Sequence, residues 1–95
     1  MALDILRLSA FSDADQGGNP AGVWIGEIFP DDTTLQATAK EVGYSETAFA
    51  IPEGDGWRVR YFSPQAEVPF CGHATIALGA ALAGRYGEGE YRLYL

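Results

Sequence analysis

Residues 74–83 constrain the fold more than any other segment, because they contain almost only apolar and small residues (ATIALGAALA). We predict a helix from about residue 72 to residue 86, and its apolar circumference has to be covered on every side. The short strands predicted elsewhere in the chain are too few to wrap such a helix. The chain is therefore expected to be part of a larger unit, or a protomer that is completed by association.

The remaining pattern predicts five short strands and one further helix in the order β-β-α-β-β-α-β. The predicted strands are 3–11, 21–28, 47–51, 57–62 and 91–95. The first helix opens near Pro30, has a capping-box spacing at Thr33 and Gln36, and ends at Gly43. The pair Asp55-Gly56, within the five-residue connection 52–56, predicts a hairpin between the third and fourth strands.

Composition excludes several classes of partner. The net charge of −7 disfavours nucleic acid, because an acidic chain repels phosphate backbones. No segment approaches the roughly 20 apolar residues that span a bilayer, so no membrane partner is expected. The single cysteine cannot form an internal disulfide, and residues 1–4 lack the start of a secretory signal, so a cytoplasmic location is expected.

The only cysteine and the only histidine flank a glycine at the predicted start of the second helix, as Cys71-Gly72-His73. Free backbone amides and the helix dipole at such a position favour a thiolate and bind a substrate carboxylate. The alternative is a small buried cysteine and a histidine chosen for packing. A Cys–His nucleophile pair is a further alternative, although residues two apart at a helix start rarely face each other. Two ligands, with Glu67 a weak candidate for a third, make a metal site unexpected.

Two other segments carry candidate polar groups. Asn19, in the turn Gly17-Gly18-Asn19-Pro20, can hydrogen-bond a carboxylate, although this sequence is also an ordinary turn. Glu46, between a helix end and an apolar strand, is placed for proton transfer, with a solvated loop carboxylate as the alternative.

Taken in order, these segments resemble the N-terminal half of the phenazine-biosynthesis-like (PhzF-like) isomerase family. The matching stretches are 18–23 (GNPAGV), 43–49 (GYSETAF), 60–64 (RYFSP) and 67–75 (EVPFCGHAT). The resemblance spans nearly the whole chain. A more distant one links it to the half-domains of diaminopimelate epimerases and proline racemases, in which a Cys-Gly pair starts the central helix.

The resemblance implies an α+β fold, one half of a diaminopimelate-epimerase-like architecture. In that fold a curved mixed sheet wraps a central apolar helix, and the active site lies between two pseudo-symmetric halves. Residues 1–95 would form a single half-domain without its second half. A homodimer or a separate second-half chain is the expected partner.

The resemblance also implies a cofactor-independent isomerase or epimerase that transfers a proton on a small carboxylate-bearing substrate. Glu46 matches the family's general acid/base, and His73 matches a histidine that lines the site. Backbone amides around Gly72, His73 and Ala74 would hold the substrate. Cys71 matches the proton-transfer cysteine of the racemases and epimerases.

Asn19 would contact the same substrate. In the PhzF-like group the glutamate is the usual acid/base, so Cys71 is expected to be substrate-adjacent or to pack, with a catalytic role as the alternative. A non-catalytic binding or interaction module, or a truncated product that retains the carboxylate pocket, is the competing interpretation of the whole chain. A thiol redox role for Cys71 would need a second thiol from a partner.

Overall fold

The computed structural model describes residues 5–10, 19–87, 89 and 91–95. Two helices and six strands follow one another as β1 (Leu6–Ala10), β2 (Asn19–Ile25), α1 (Asp32–Val42), β3 (Thr47–Glu53), β4 (Gly56–Phe62), β5 (Glu67–Val68), α2 (Gly72–Tyr86) and β6 (Leu93–Tyr94). The order agrees with the sequence prediction except for β5, a two-residue strand in a segment predicted as a loop. Among these residues no helix has the length and apolar character needed to cross a membrane.

The strands form one mixed sheet in the order β1-β2-β3-β4, and β5 and β6 both pair with β4. β2 and β3 are parallel neighbours joined through α1, whereas β3 and β4 form an antiparallel hairpin. The hairpin turn is Gly54-Asp55, and Gly54 has a φ of 58°, which glycine adopts without steric cost. The predicted hairpin is therefore confirmed, and its turn lies within the predicted connection 52–56.

The sheet has a helix on each face, because successive strand residues point to opposite sides. Ala48 and Ala50 face α2, whereas Phe49, between them, faces α1. The alanines let α2 lie close to the sheet, and Leu78 and Leu82 of α2 are fully buried there. On the opposite face Phe49 packs edge-on against Phe62, with ring centroids 5.6 Å apart. The curved sheet and the apolar helix against it agree with the predicted α+β class.

Helix α1 begins at a cap other than the one the sequence suggested. The Asp31 side chain accepts a hydrogen bond from the backbone N–H of Thr34 at 2.8 Å. Gln36 does not complete a capping box with Thr33, because its side-chain amide donates instead to the carbonyl oxygen of Ser63. Gly43 ends the helix in the left-handed conformation, with a φ of 78°, as predicted.

The exposed residues of α2 are Arg85 and Tyr86 at its end and one row spaced four apart: Gly72, Ile76, Ala80 and Gly84. Ile76, the largest of the four, is 46% exposed, and none of the four carries a polar side chain. The sheet therefore covers one side of α2 and leaves this row exposed on the other side. We define these four residues as the outer row of α2.

Candidate active site

Glu46 is positioned by the bend between α1 and β3. It lies directly before β3, and its carbonyl oxygen accepts a hydrogen bond from the backbone N–H of Gly22 in β2 at 3.2 Å. This bond fixes the backbone of Glu46 against the sheet. Its side chain is 21% exposed and points toward the start of α2.

Cys71 is the N-cap residue of α2, with an extended backbone (φ −144°, ψ 119°). Its carbonyl oxygen accepts hydrogen bonds from the backbone N–H and the hydroxyl of Thr75, at 3.0 and 2.8 Å. The Thr75 hydroxyl also lies 2.6 Å from the hydroxyl of Tyr61. Because Thr75 donates its hydrogen to Cys71, Tyr61 is the donor in that second bond. This chain of bonds holds Cys71 against β4.

Sequence reasoning missed the parts that Tyr61 and Thr75 play. A signal was present, since Thr75 is the one hydroxyl residue in the apolar segment 74–83 and lies four residues after Cys71. At that spacing a threonine hydroxyl reaches back to a carbonyl of the preceding turn. The residue to which it would connect on a distant strand could not be found from spacing.

The side chains of Glu46, Cys71 and His73 meet at the N-terminus of α2. The Cys71 thiol donates to Oε1 of Glu46 at 3.3 Å, and Sγ lies 3.4 Å from Nδ1 of His73. Nε2 of His73 lies 3.3 Å from the same Oε1. The expectation that Cys71 and His73 would not face each other is wrong. Cys71 precedes the helix in an extended conformation, so helical spacing does not separate the two side chains.

One nitrogen of this cluster is buried without a hydrogen-bond partner. Nε2 of His73 is close to Glu46, but the contact lacks the alignment of a hydrogen bond, so within the described part of the chain Nε2 is unsatisfied. Buried polar atoms are ordinarily paired, and an exception calls for an explanation such as a catalytic role or a bound group.

Burial raises the pKa of the Cys71 thiol, and the neighbouring Glu46 carboxylate raises it further. The backbone N–H groups of Ala74 and His73 act in the opposite direction on this pKa, without reversing it. The prediction that the helix start favours a thiolate is therefore wrong. Desolvation of the anion outweighs the helix terminus here.

The predicted backbone amides differ in accessibility. The first bond within α2 starts from the N–H of Thr75, so Gly72, His73 and Ala74 have no acceptor inside the helix. Gly72 is exposed, and a Cβ added to it would meet nothing within 4 Å. Ala74 is fully buried. Gly72 therefore offers the open approach to the helix terminus.

Asn19 is paired through its backbone with Ala10, so it begins β2 and is not part of a free turn. Its side chain lies outside the described residues, as do Gly17 and Gly18. Its predicted contact with a substrate stays a prediction.

Glu67, the weak candidate for a third metal ligand, belongs to another cluster. It accepts two hydrogen bonds from the Arg60 guanidinium, each 2.8 Å long. Arg60 lowers the pKa of the Glu67 carboxyl and is also paired with Asp32 at 2.9 Å. The third candidate ligand that the fold brings beside Cys71 and His73 is therefore Glu46, not Glu67.

A shallow groove lies away from the three side chains, along the edge of β4 between β5 and β6. Arg58, Arg60, Glu67 and Leu95 are among its lining residues. Arg58 and Arg60 are already paired with carboxylates, Arg58 with Glu53 at 2.5 Å. The chemistry therefore concentrates at the N-terminus of α2, not at this groove.

The comparisons with known proteins agree with the fold and the motifs. The phenazine biosynthesis-like (PhzC-PhzF) family profile matches residues 8–94. An uncharacterized isomerase of Pseudomonas aeruginosa is 42% identical over 93 residues, which cover 98% of this chain and 36% of that protein. A PhzF-family phenazine biosynthesis protein of Enterococcus faecalis superposes with a TM-score of 0.79 at 35% identity, over 90% of this chain and 32% of that one.

A P. aeruginosa protein described as a predicted epimerase superposes with a TM-score of 0.88 at 27% identity, over 96% of this chain and 34% of that one. The chain thus spans about a third of the length of the relatives that it matches. The family profile covers nearly all of it, and the chain belongs to the phenazine biosynthesis-like (PhzC-PhzF) family.

Proposed function

We propose that this chain is the catalytic half of a cofactor-independent isomerase or epimerase that moves a proton on a small carboxylate-bearing substrate. The observation that carries the proposal is the mutual contact of Glu46, Cys71 and His73 at the N-terminus of α2. Three groups that exchange protons, held at contact distance beside a helix terminus, suit general acid–base catalysis. A relative named as an isomerase supports the same class of reaction.

Glu46 is the group proposed to take the proton from the substrate and return it. His73 orients the substrate or supplies a second proton, and the exposed amide of Gly72 binds the carboxylate at the positive end of α2. The raised pKa of Cys71 keeps its thiol protonated near neutral pH, so in this site the thiol suits donation more than abstraction of a proton.

The proposed site needs a second domain to cover its exposed side. The outer row of α2 starts at Gly72, between Cys71 and His73, and continues along the helix. A domain that covered this row would therefore also cover the site. The proposed covering domain is a second half-domain or a second copy of this chain. Light scattering at several concentrations tests the second copy: a homogeneous dimer supports it, and a monomer that stays dispersed argues for a separate half.

The test of the chemistry is proton exchange in D2O. A panel of amino acids and of 2-hydroxy and unsaturated carboxylic acids is incubated with the chain, and loss of carbon-bound proton signals is followed by NMR. Glu46→Gln should abolish the exchange and leave the circular dichroism spectrum unchanged. Glu41→Gln is the matched control, because it removes an exposed carboxylate of α1 with the same change in charge.

Retention of full exchange by Glu46→Gln would contradict the assigned role. Binding of a carboxylic acid with no deuterium uptake would instead favour a non-catalytic binding module, the competing interpretation.

A further inference from the structure

Glu46, Cys71 and His73 each present one ligand atom within 4.8 Å of the other two, which is close enough for all three to reach one cation. The contacts Sγ–Oε1, Sγ–Nδ1 and Nε2–Oε1 measure 3.3, 3.4 and 3.3 Å. Bond lengths around a tetrahedral zinc ion place sulfur, nitrogen and oxygen ligands about 3.4–3.6 Å from one another. An imidazole binds one ion through a single nitrogen, so that nitrogen, Sγ and Oε1 would have to close from within 4.8 Å to this spacing, a movement of up to about 1 Å.

The unsatisfied Nε2 of His73 is a second and independent observation. The atom is buried and faces Oε1 of Glu46 without a hydrogen bond among the described residues. A cation bound to a ring nitrogen would satisfy this imidazole and the carboxylate together. One sulfur, one imidazole and one carboxylate ligand also form the mixed set that suits zinc better than calcium or magnesium.

We propose that Glu46, Cys71 and His73 form a three-ligand site for a thiophilic divalent cation of the zinc class, with the fourth position open. The site uses the residues of the proposed isomerase but does not rest on that function. Coordination replaces the thiol hydrogen of Cys71 with the metal, and one proton passes to the buffer for each cation bound. A bound cation would occupy Glu46 and so would inhibit proton exchange.

The composition makes the test unusually clear. The chain has one cysteine and one histidine, so in an untagged preparation any thiolate–metal bond belongs to Cys71 and any imidazole–metal bond to His73. Cobalt(II) is the probe, because it occupies zinc sites and gives a near-ultraviolet thiolate-to-cobalt charge-transfer band and strong visible bands when it is tetrahedral. We expect one cobalt ion per chain, displaced by zinc.

Four variants divide the ligand set. Cys71→Ser should remove the charge-transfer band. His73→Asn and Glu46→Gln should keep the band but weaken cobalt binding. Loss of a residue that only hydrogen-bonds a ligand costs roughly 10–100-fold in metal affinity, so loss of a ligand itself should cost at least as much. Glu67→Gln, which removes the carboxylate paired with Arg60, should leave the cobalt affinity within about twofold of the unmodified chain.

Absence of the charge-transfer band at a large molar excess of cobalt would overturn the proposal. So would a band that persists in Cys71→Ser, or a stoichiometry of one ion for two chains. Because spectroscopy and deuterium exchange are separate readouts, each proposal fails alone. If the chain binds cobalt but the metal-free chain shows no deuterium exchange, only the isomerase proposal is refuted. If the metal-free chain shows exchange but does not bind cobalt when it is added, only the metal site is refuted.

Discussion

Thr47→Val should stabilise this chain, because it removes a buried hydroxyl that has no partner. Thr47 is fully buried at the start of β3, and its Oγ1 makes no hydrogen bond within the described residues. A Cβ placed on Gly22 would lie 3.0 Å from both this oxygen and Cγ2 of Ile5, so the hydroxyl sits in a tight, largely apolar space.

The magnitude follows from the desolvation of that hydroxyl. An unpaired buried hydroxyl costs about 1–3 kcal/mol, and valine has nearly the same shape with a methyl group in its place. We therefore expect Thr47→Val to raise the free energy of unfolding by about 1–2 kcal/mol. For a domain of this size each kcal/mol raises Tm by about 4–8 °C.

The chain supplies its own control. Thr38 is the other buried threonine among the described residues, and its hydroxyl donates to the carbonyl oxygen of Thr34 at 2.8 Å. Thr38→Val removes a satisfied hydroxyl, so it should be neutral or destabilising by about 0.5–1 kcal/mol. Urea unfolding followed by circular dichroism measures both variants. If Thr47→Val is no more stable than Thr38→Val, the hydroxyl of Thr47 has a partner and the argument is refuted.

Three further outcomes are expected. Tyr61→Phe leaves the Thr75 hydroxyl without its donor and should destabilise the chain by about 1 kcal/mol in urea unfolding; an unchanged midpoint would show that the bond contributes nothing. Gly22→Ala places a Cβ 3.0 Å from Cγ2 of Ile5 and should cost about 1–3 kcal/mol, whereas a stable variant would mean that this contact relaxes freely. Because burial raises the pKa of Cys71, the folded state holds the thiol proton more tightly than the unfolded state does. The contribution of Cys71 to stability should therefore be present below its pKa in the unfolded state and be lost as pH rises through its pKa in the folded state. Iodoacetamide alkylation should accordingly have a higher pH midpoint in the folded chain than in urea, and equal midpoints would contradict the burial effect.

Helix α2 could be predicted from sequence to within a residue, because its apolar composition and flanking glycines are local signals. The cap of α1 could not. Asp31 and Thr33 both suit an N-cap, and the choice depends on distant contacts such as that of Gln36 with Ser63. Strand β5 was missed for a similar reason, since two residues carry no periodicity and pair only because β4 lies beside them.

The members of the candidate site were predicted, but their geometry was not. One motif identified Cys71 and His73 and another identified Glu46, while the contact between Glu46 and Cys71 joins positions 25 residues apart. The direction of the Cys71 pKa could not be read from its place at a helix start, because desolvation depends on what the tertiary fold packs around the sulfur.

The two faces of the sheet give this chain two independent kinds of sequence constraint. Phe49 and Phe62 pack beneath α1 in a cluster of buried residues, so changes there act on whether the chain folds. The outer row of α2 is exposed, so changes there should act on the proposed assembly more than on folding. If the proposed assembly holds, stability and assembly can be engineered, or can diverge during evolution, on opposite sides of one layer of strands.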